Sequence, residues 1–271
     1  MPQCLLLHNL DYIHFSSSIK KHGASFYQKQ TPKFLRIAKS IATDSEFSKR
    51  DIISQFQPDE KKLSIVFSAA KKCFQPLRPE KKEATKSKYT DGKEYFVCTG
   101  SMHPRTNPMN LLKAFSIFKN RQQTNMKLVI TGRLAWKHTS FQEKIKTYKY
   151  RNEVILTGLL DEEEMANVVG SAYALVYPSY QESFGAPVLE AMQCNVPVIT
   201  SADSSMQEIA GDAALYANPE SYEDIAEKMM LLYKDEKLRQ ELINKGQLIT
   251  SQFTWDKTAA QLWQTILRAT D

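Results

Sequence analysis

The sequence predicts an α/β protein built around a doubly wound parallel sheet. Between residues 94 and 217, short apolar runs alternate with longer stretches in which apolar residues recur at helical spacing. The runs are apolar throughout, which is typical of strands covered on both faces, and helices between successive strands produce parallel pairing. The predicted strands are Tyr95–Cys98, Leu128–Ile130, Val154–Leu156, Ala174–Tyr177 and Val196–Ile199, and Gly100, Gly132, Gly158 and Pro178 mark strand ends.

The region before this sheet contains too little structure for a stable sheet domain by itself. Its strand candidates are short and are separated by two helical segments. We therefore expect residues 1–78 to form part of a domain, corresponding to its second half. The strand candidates are Cys4–Leu7, Ser40–Thr43 and Leu63–Phe67, and the helical segments lie at about residues 25–39 and 47–56.

Residues 79–93 have almost no apolar content and predict an exposed, charged linker. Residues 94–252 then form the larger domain, and residues 253–271 contain a final helix. The tail as a whole predicts helices at about 221–234, 235–251 and 255–269. One side of the last helix carries Trp255, Ala259, Leu262, Trp263 and Ile266.

Charge is distributed unevenly along the 271 residues, whose formal net charge is +6. Residues 1–93 carry 18 lysines and arginines against nine acidic residues, whereas residues 94–271 carry 18 against 21. A basic front half favours either a solvated surface or peripheral contact with an anionic membrane. The basic pairs lack interleaved aromatic residues and zinc-finger spacing, so we expect no nucleic-acid partner.

Cysteine usage and the absence of long apolar segments indicate the cytoplasm. No run approaches the ~20 apolar residues of a membrane-spanning helix, and the first residues do not resemble a secretory signal. The four cysteines are far apart and include no C-x-x-C pair, which is typical of reduced thiols. We therefore expect a cytoplasmic protein, and peripheral contact of its basic front half with the inner face of the membrane is the alternative to a solvated surface.

The segment from Tyr177 to Met192 carries the most chemical information, because it follows a buried strand and opens a helix near Pro187. Ligands of open parallel sheets bind outside the carboxyl ends of the strands, and a helix N-terminus there offers N–H groups to phosphate. Glu190 lies one turn into the helix and leans back toward its start, where its carboxylate can bind a ribose diol. Glu182 can reach a group beyond the phosphates. Alternatively, Glu190 stabilises the helix start and Glu182 is simply exposed.

The two glutamates are separated by seven residues around Phe184 and Gly185, and the sequence Pro-Val-Leu-Glu-Ala-Met follows. This pattern resembles the signature of retaining glycosyltransferase family 4, whose members have the GT-B fold of two Rossmann-like domains. The resemblance runs from about Leu5 to Trp263. It also includes His8-Asn9-Leu10, which is similar to the family's His-Asp-Leu turn, and the segments Thr43–Arg50, Cys98–Asn107 and Ser204–Ala214.

The resemblance implies a role for each matching residue. Glu190 would hold the nucleotide ribose, and Glu182 would orient the donor sugar. Arg105 would face the diphosphate, although Thr106 stands where the family usually has a second basic residue. Catalytic roles thus fall to Glu182, His8 and Arg105. The remaining donor-binding candidates are Ser183, Phe184, Gly185 and Ala186 around the sugar and phosphates, Gly100 and Ser101 after the first strand of the sheet, Arg133 and Lys137 after the second, and Gly158 and Leu159 at the base-binding edge.

The implied reaction moves a sugar from a UDP- or GDP-sugar to an acceptor hydroxyl with retention of anomeric configuration. The leaving diphosphate helps to deprotonate the acceptor, so no protein nucleophile is assigned, and no metal is expected. The acceptor would be a glycan or a lipid-linked sugar in the assembly of surface polysaccharide or lipopolysaccharide. The final helix would cross back to the N-terminal domain.

Length is the main departure from the family, because the chain starts about halfway through the expected acceptor domain. Such a truncation would weaken activity and expose apolar surface that favours self-association. Two alternatives follow. A nonhydrolysing nucleotide-sugar epimerase shares the architecture, but its acid/base clusters are missing from the sequence. A catalytically inactive transferase that serves as a nucleotide-binding or partner subunit agrees with Thr106 and with Asn9, where the family has aspartate.

Overall fold

The computed structural model describes residues 1–16, 21–133 and 139–270. The density of internal contacts divides the chain into two compact units. The units do not follow the sequence in two simple blocks, because the chain leaves and re-enters each of them. Unit 1 comprises Met1–Ala69, Glu182–Gly185 and Phe253–Asp271, and unit 2 comprises Ala70–Gln181 and Ala186–Gln252.

Unit 2 contains a six-stranded, fully parallel sheet with the order β6-β5-β4-β7-β8-β9. The central strands are completely buried, as their continuous apolar sequences predict, and Val97 of β4 lies opposite Val129 of β5 and Leu175 of β7. The chain winds outward from β4 in one direction and then from β7 in the other. The strands are β4 (Tyr95–Cys98), β5 (Lys127–Thr131), β6 (Val154–Gly158), β7 (Ala174–Tyr177), β8 (Val198–Ser201) and β9 (Ala214–Ala217).

Helices cover both faces of this sheet and bury their apolar sides against it, as a doubly wound fold requires. Helix α5 follows β4, and its Leu111, Phe115 and Phe118 are completely buried. The helices of unit 2 are α4 (Pro79–Thr90), α5 (Pro108–Gln122), α6 (Thr139–Thr147), α7 (Glu162–Gly170), α8 (Ala186–Gln193), α9 (Ser205–Ala210), α10 (Tyr222–Lys234) and α11 (Glu236–Thr250).

Unit 1 is built on a three-stranded parallel sheet with the order β1-β2-β3. Its small core includes Leu10, Leu35, Ile41 and Ile52. The C-terminal helix contacts β1 and β2, and the Gln261 side chain accepts a hydrogen bond from the backbone N–H of Phe67. The strands are β1 (Cys4–Leu6), β2 (Ser40–Thr43) and β3 (Leu63–Ile65), and the helices are α1 (Asp11–His14), α2 (Lys21–Ile37), α3 (Glu46–Phe56) and α12 (Trp255–Thr270).

The apolar side of the last helix faces solvent in the structure. Trp255, Trp263 and Ile266 are 46%, 59% and 37% exposed, while Thr265 and Ala269 are buried. The sequence predicts the helix itself but not which side packs on the sheet. The packing side is the one that carries small residues, which allow the helix to approach the strands closely.

The exposed linker predicted for residues 79–93 is wrong, because this segment forms α4. Pro79 begins the helix, Asp91 ends it in the left-handed conformation, and Thr85, Lys86 and Thr90 are buried. The segment lacks an apolar stripe, but its lysine, glutamate and alanine residues favour helix and its ends carry good stop and start signals. Strand β9 was not among the predicted strands, and β8 begins two residues later than predicted. No helix in the described ranges is long and apolar enough to cross a membrane.

Candidate functional site

The site in unit 2 lies at the carboxyl edge of the sheet, where β4 and β7 are neighbours but lead to opposite halves of the fold. Open parallel sheets leave a crevice for ligands at such a point. Gly100 follows β4 with a φ of +108°, and Gly132 follows β5 with a φ of +120°. A Cβ atom on Gly132 would lie 2.0 Å from the carbonyl oxygen of Gly100. The two loops therefore approach each other at a distance that only glycine allows.

A pocket of about 230 Å³ opens beside Gly100. Its walls come from the segment before α4, from the loop after β4, from the start of α7 and from the first turns of α8. They combine apolar surface with four charged residues. The apolar side chains are Phe74, Leu160, Met165 and Pro187, and the charged ones are Lys71, Asp161, Glu162 and Glu190.

Glu190 is the unusual group in this pocket. Burial raises the pKa of its carboxyl to about 7, nearby Lys71 opposes this effect, and Glu162 adds to it. Lys71 is held by Glu162, with 2.6 Å between Nζ and Oε1. No side chain in the described part of the protein donates a hydrogen bond to the Glu190 carboxylate. A partly desolvated carboxylate in this state is a strong acceptor for ligand hydroxyl groups.

Arg105 fixes the segment that leads from β7 toward the two glutamates. Its Nη1 donates to the backbone oxygen of Gln181 at 2.8 Å. Its own backbone oxygen accepts hydrogen bonds from the Tyr180 N–H at 2.9 Å and the Ser179 hydroxyl at 3.0 Å. Arg105 is half-buried as a residue. Through these hydrogen bonds it positions the loop after β7.

Thr106 turns away from solvent and bonds the backbone. Its hydroxyl donates to the carbonyl oxygens of His103 at 2.8 Å and Ser101 at 3.1 Å, and the residue is 2% exposed. The position that is usually basic in the resembling family thus carries a structural side chain here. It stabilises the tight turn Pro104–Thr106 that presents Arg105.

In unit 1, His8 follows β1 and is paired with Asp44, which follows β2. The His8 Nδ1 lies 2.8 Å from Asp44 Oδ2, and this hydrogen bond raises the pKa of the imidazole. The His8 side chain is 59% exposed. Asn9 accepts a hydrogen bond at 3.1 Å from the backbone N–H of Asp11, the first residue of α1. Asp44 therefore fixes the imidazole orientation and leaves the Nε2 edge on the solvent side.

The short segment Glu182–Gly185 belongs to unit 1, where two serines hold it. The carbonyl oxygen of Ser183 accepts hydrogen bonds from the hydroxyls of Ser45 at 2.6 Å and Ser48 at 3.1 Å. The ring of Phe184 is buried and packs against those of Phe67 and Phe253. The segment Thr43–Arg50 was noted for its resemblance, but sequence reasoning did not single out these serines. A pair of hydroxyls spaced three residues apart at a helix start is too common to be a signal.

Comparison with known proteins settles the family. The profile described as "Glycosyl transferases group 1" matches residues 79–248. The chain belongs to this family. Among curated relatives, O-antigen chain mannosyltransferase B of Escherichia coli is 27% identical over 89% of this chain. O-antigen chain mannosyltransferase RfbU of Salmonella typhimurium is 27% identical over 72% of it. The chain spans 64% and 53% of the lengths of these two relatives, respectively.

Solved structures show the same fold at low identity. Anabaena HepE in complex with UDP and glucose superposes with a TM-score of 0.85 and 16% identity, covering 98% of this chain and 71% of that one. WaaG, a glycosyltransferase involved in lipopolysaccharide biosynthesis, gives 0.72 and 17%, covering 84% and 62%. These neighbours have the GT-B fold, so the predicted α/β, GT-B-type architecture of this group 1 glycosyl transferase is confirmed.

The predicted site residues divide between the two units of this group 1 glycosyl transferase. Glu190 and Gly100 line the pocket of unit 2, and Ala186 begins α8. Ser101 and Arg133 are exposed, Gly158 has a φ of +71°, and Leu159 is 67% exposed. Lys137 lies outside the described residues. Glu182, Ser183, Phe184, Gly185 and His8 belong to unit 1.

Sequence reasoning missed the charged pair Lys71 and Glu162 in the pocket. These residues are 91 positions apart, and neither belongs to a motif. Within the described ranges, no group of three or more histidine, cysteine, aspartate or glutamate residues is arranged to hold a metal ion.

Proposed function

We propose that this chain transfers a sugar from a nucleotide-sugar donor to an acceptor hydroxyl, with retention of configuration, during surface polysaccharide assembly. The main support is the position of Glu190, which lines a pocket at the switch point of a parallel sheet. Family membership supports the reaction class. The O-antigen mannosyltransferases among the relatives support the polysaccharide role, and mannose is the sugar they suggest. Because the chain spans only part of those relatives, the activity of the whole protein belongs to this proposal.

The donor nucleoside would occupy the pocket of unit 2. Phe74, Leu160 and Met165 provide apolar walls for the base, and Glu190 accepts hydrogen bonds from the ribose hydroxyls. The diphosphate would lie at the start of α8, where backbone N–H groups and the helix dipole stabilise negative charge. Arg105 would stabilise the charge that develops on the leaving diphosphate. Gly158, Leu159 and Arg133 would contribute to the base side of the site.

The transfer step would use groups of unit 1. Glu182 would orient the donor sugar and offset positive charge near its ring, while Ser183, Phe184 and Gly185 line the sugar site. His8, oriented by Asp44, would contact the donor sugar from the acceptor side. Retention would follow from attack on the same face as the departing diphosphate, which takes the acceptor proton. The acceptor would be a glycan or a lipid-linked sugar.

Calorimetric titration tests the donor site. UDP, GDP and ADP are titrated into the wild type, into Glu190→Gln and into the matched control Glu163→Gln, which removes an exposed carboxylate of α7. We expect one nucleotide to bind, Glu190→Gln to lose at least tenfold in affinity, and the control to match the wild type. Turnover is then followed with UDP-glucose and GDP-mannose by release of nucleoside diphosphate and by the anomeric configuration of the product.

A partner-subunit function is the second candidate, and the inward-facing Thr106 favours it because it leaves the diphosphate with one cation fewer. If no nucleotide binds, the transferase proposal is wrong and this alternative replaces it. If a nucleotide binds but no donor turns over in the presence of acceptor glycans, the chain is a nucleotide-binding subunit. Nucleotide-sugar isomerisation without an acceptor would instead indicate an epimerase.

Self-association is a separate proposal, supported by the exposed apolar side of α12. Trp255, Trp263 and Ile266 expose a large apolar area that a second copy of the chain could cover. Light scattering after gel filtration tests it, with Trp263→Gln as the variant. We expect an oligomer for the wild type and a monomer for the variant. A monomeric wild type at high concentration would contradict the proposal.

A further inference from the structure

Helix α2 of unit 1 carries an apolar face that is largely exposed. Phe26 and Ile37 are 53% and 54% exposed, and Tyr27 and Phe34 are also exposed. At 3.6 residues per turn, these four side chains fall within one arc of the helix surface. Single exposed apolar residues are ordinary, but four large ones on one arc mark an interaction surface.

The opposite side of the same helix explains its fixed position. Ala24, Thr31 and Leu35 are buried, and the Tyr12 hydroxyl of α1 donates to the Thr31 hydroxyl at 2.7 Å. The Gln28 amide also donates to the backbone oxygen of Tyr12 at 3.0 Å. On the exposed arc, Tyr27 also packs against Tyr12, with 5.6 Å between ring centroids. The arc residues left for an external contact are therefore Phe26, Phe34 and Ile37.

The arc next to the apolar one is basic. Lys29, Lys33 and Arg36 lie one turn apart along α2, and all three are exposed. None of them forms an ion pair with a residue that the structure describes. Their charge is therefore available to an external anion.

The surrounding sequence has no acidic residue to balance these cations. Residues 12–43 contain six lysines and arginines and no aspartate or glutamate. Helix α12, whose exposed side is equally apolar, differs in this respect, because Asp256 lies in its first turn beside Lys257. Charge thus distinguishes α2 from the other apolar surface of unit 1.

We propose that the exposed face of α2 docks on an anionic lipid bilayer, with Phe26, Phe34 and Ile37 inserted at the headgroup level and Lys29, Lys33 and Arg36 against the lipid phosphates. An interfacial helix requires this combination of an apolar arc and an adjacent basic arc. Phenylalanine is typical of the apolar face that such helices bury at the boundary between headgroups and acyl chains. Each cation near an anionic membrane surface strengthens binding about fivefold at moderate salt.

Vesicle co-sedimentation with the full chain tests the proposal. Vesicles of phosphatidylcholine alone are compared with vesicles in which part of it is replaced by phosphatidylglycerol. We expect binding to the second kind only, and binding that weakens as salt is raised. Failure of the wild type to bind anionic vesicles would overturn the proposal.

Two variants separate the charged and apolar contributions. Reversing the basic arc with K29E, K33E and R36E together should weaken binding by at least about a hundredfold, because each lost cation accounts for about fivefold and each new glutamate adds repulsion. Replacing the apolar arc with F34S and I37S should weaken binding but preserve its dependence on salt. Each has a matched control in unit 2 that makes the same chemical change on exposed residues: K144E, K234E and K237E for the charges, and L231S and L248S for the apolar residues.

The controls decide whether the effect belongs to α2. If the control triple weakens binding as much as the α2 triple, attraction depends on net charge and the proposal is wrong. Circular dichroism and thermal unfolding of each variant exclude loss of binding through unfolding. If an RNA homopolymer binds the wild type, is released by the α2 triple, and the vesicles do not bind, the surface recognises nucleic acid and the proposal is likewise overturned.

Discussion

Replacing Glu190 by glutamine should stabilise the chain at neutral and alkaline pH while weakening nucleotide binding. Glutamine has nearly the same shape as glutamate but carries no charge, so it removes the electrostatic penalty of the pocket and preserves the packing. The carboxylate is largely buried, and the nearby cation Lys71 is already held by Glu162. The charged form of Glu190 is therefore poorly compensated in the folded state without ligand.

The size of the effect follows from the pKa. Burial raises the pKa of Glu190 from 4.5 to about 7, and each factor of ten in a proton equilibrium corresponds to about 1.4 kcal/mol, so the full effect is about 3 kcal/mol. Between about pH 4.5 and pH 7, the folded chain keeps the Glu190 carboxyl protonated, whereas the unfolded chain has lost that proton. The free energy of unfolding of the wild type is therefore not reduced by Glu190 below about pH 4.5. It falls as pH rises toward about 7, and above that pH the Glu190 contribution stays constant.

Urea unfolding measured at about pH 5 and about pH 8.5 tests this reasoning. The variant should be more stable than the wild type by less than about 1 kcal/mol at the lower pH and by about 3 kcal/mol at the higher one. Glu163→Gln, on the exposed side of α7, should show no such difference. If the difference in free energy of unfolding between Glu190→Gln and the wild type is the same at both pH values, Glu190 is not desolvated. Its assignment to the ribose then loses its physical basis.

Two further predictions concern the loops around the two candidate sites. Gly132→Ala should lower the free energy of unfolding by about 3 kcal/mol or more, because the new Cβ would lie 2.0 Å from the Gly100 oxygen. Gly158→Ala should cost only about 1–2 kcal/mol in the same urea unfolding assay, because Gly158 has a positive φ but open space around it. Equal losses of stability in the two variants would contradict the close approach of the two loops. Asp44→Asn should lower the pKa of His8, since the hydrogen bond to Asp44 is what raises it; an NMR titration of the imidazole measures this, and an unchanged midpoint would show that the pair does not form in solution.

The sheet of unit 2 was predictable because its strands are buried on both faces, so their sequences are apolar throughout. The same logic failed at α4, which has no apolar stripe and is held by buried threonines and the Lys86 contacts with Glu83 and Glu94. Propensity and capping would have identified it, since Pro79 begins the helix and Asp91 with Gly92 ends it. Hydrophobic periodicity alone cannot detect a helix whose buried side is polar.

Site residues within a local motif were predictable, whereas pairs distant in sequence were not. Glu190 belongs to a strand–turn–helix pattern whose geometry follows from the sequence itself. The partners of such residues depend on tertiary structure: Asp44 meets His8 across 36 residues. Thr106 illustrates a third case. The family resemblance implies a basic residue at this position, but the sequence does not reveal that the threonine hydroxyl bonds the turn that presents Arg105.

The charges around the pocket also indicate how a donor would be oriented. Lys71 and Glu162 neutralise each other, so Asp161 and the ionised carboxylate of Glu190 leave the pocket with net negative charge. A diphosphate would be repelled from this end, whereas ribose hydroxyls can donate hydrogen bonds to the carboxylate. In the proposed donor complex, the phosphates would instead lie at the first turn of α8, where the helix dipole places partial positive charge. The same feature that destabilises the empty pocket would thus select the orientation in which the nucleoside enters it and the sugar faces outward.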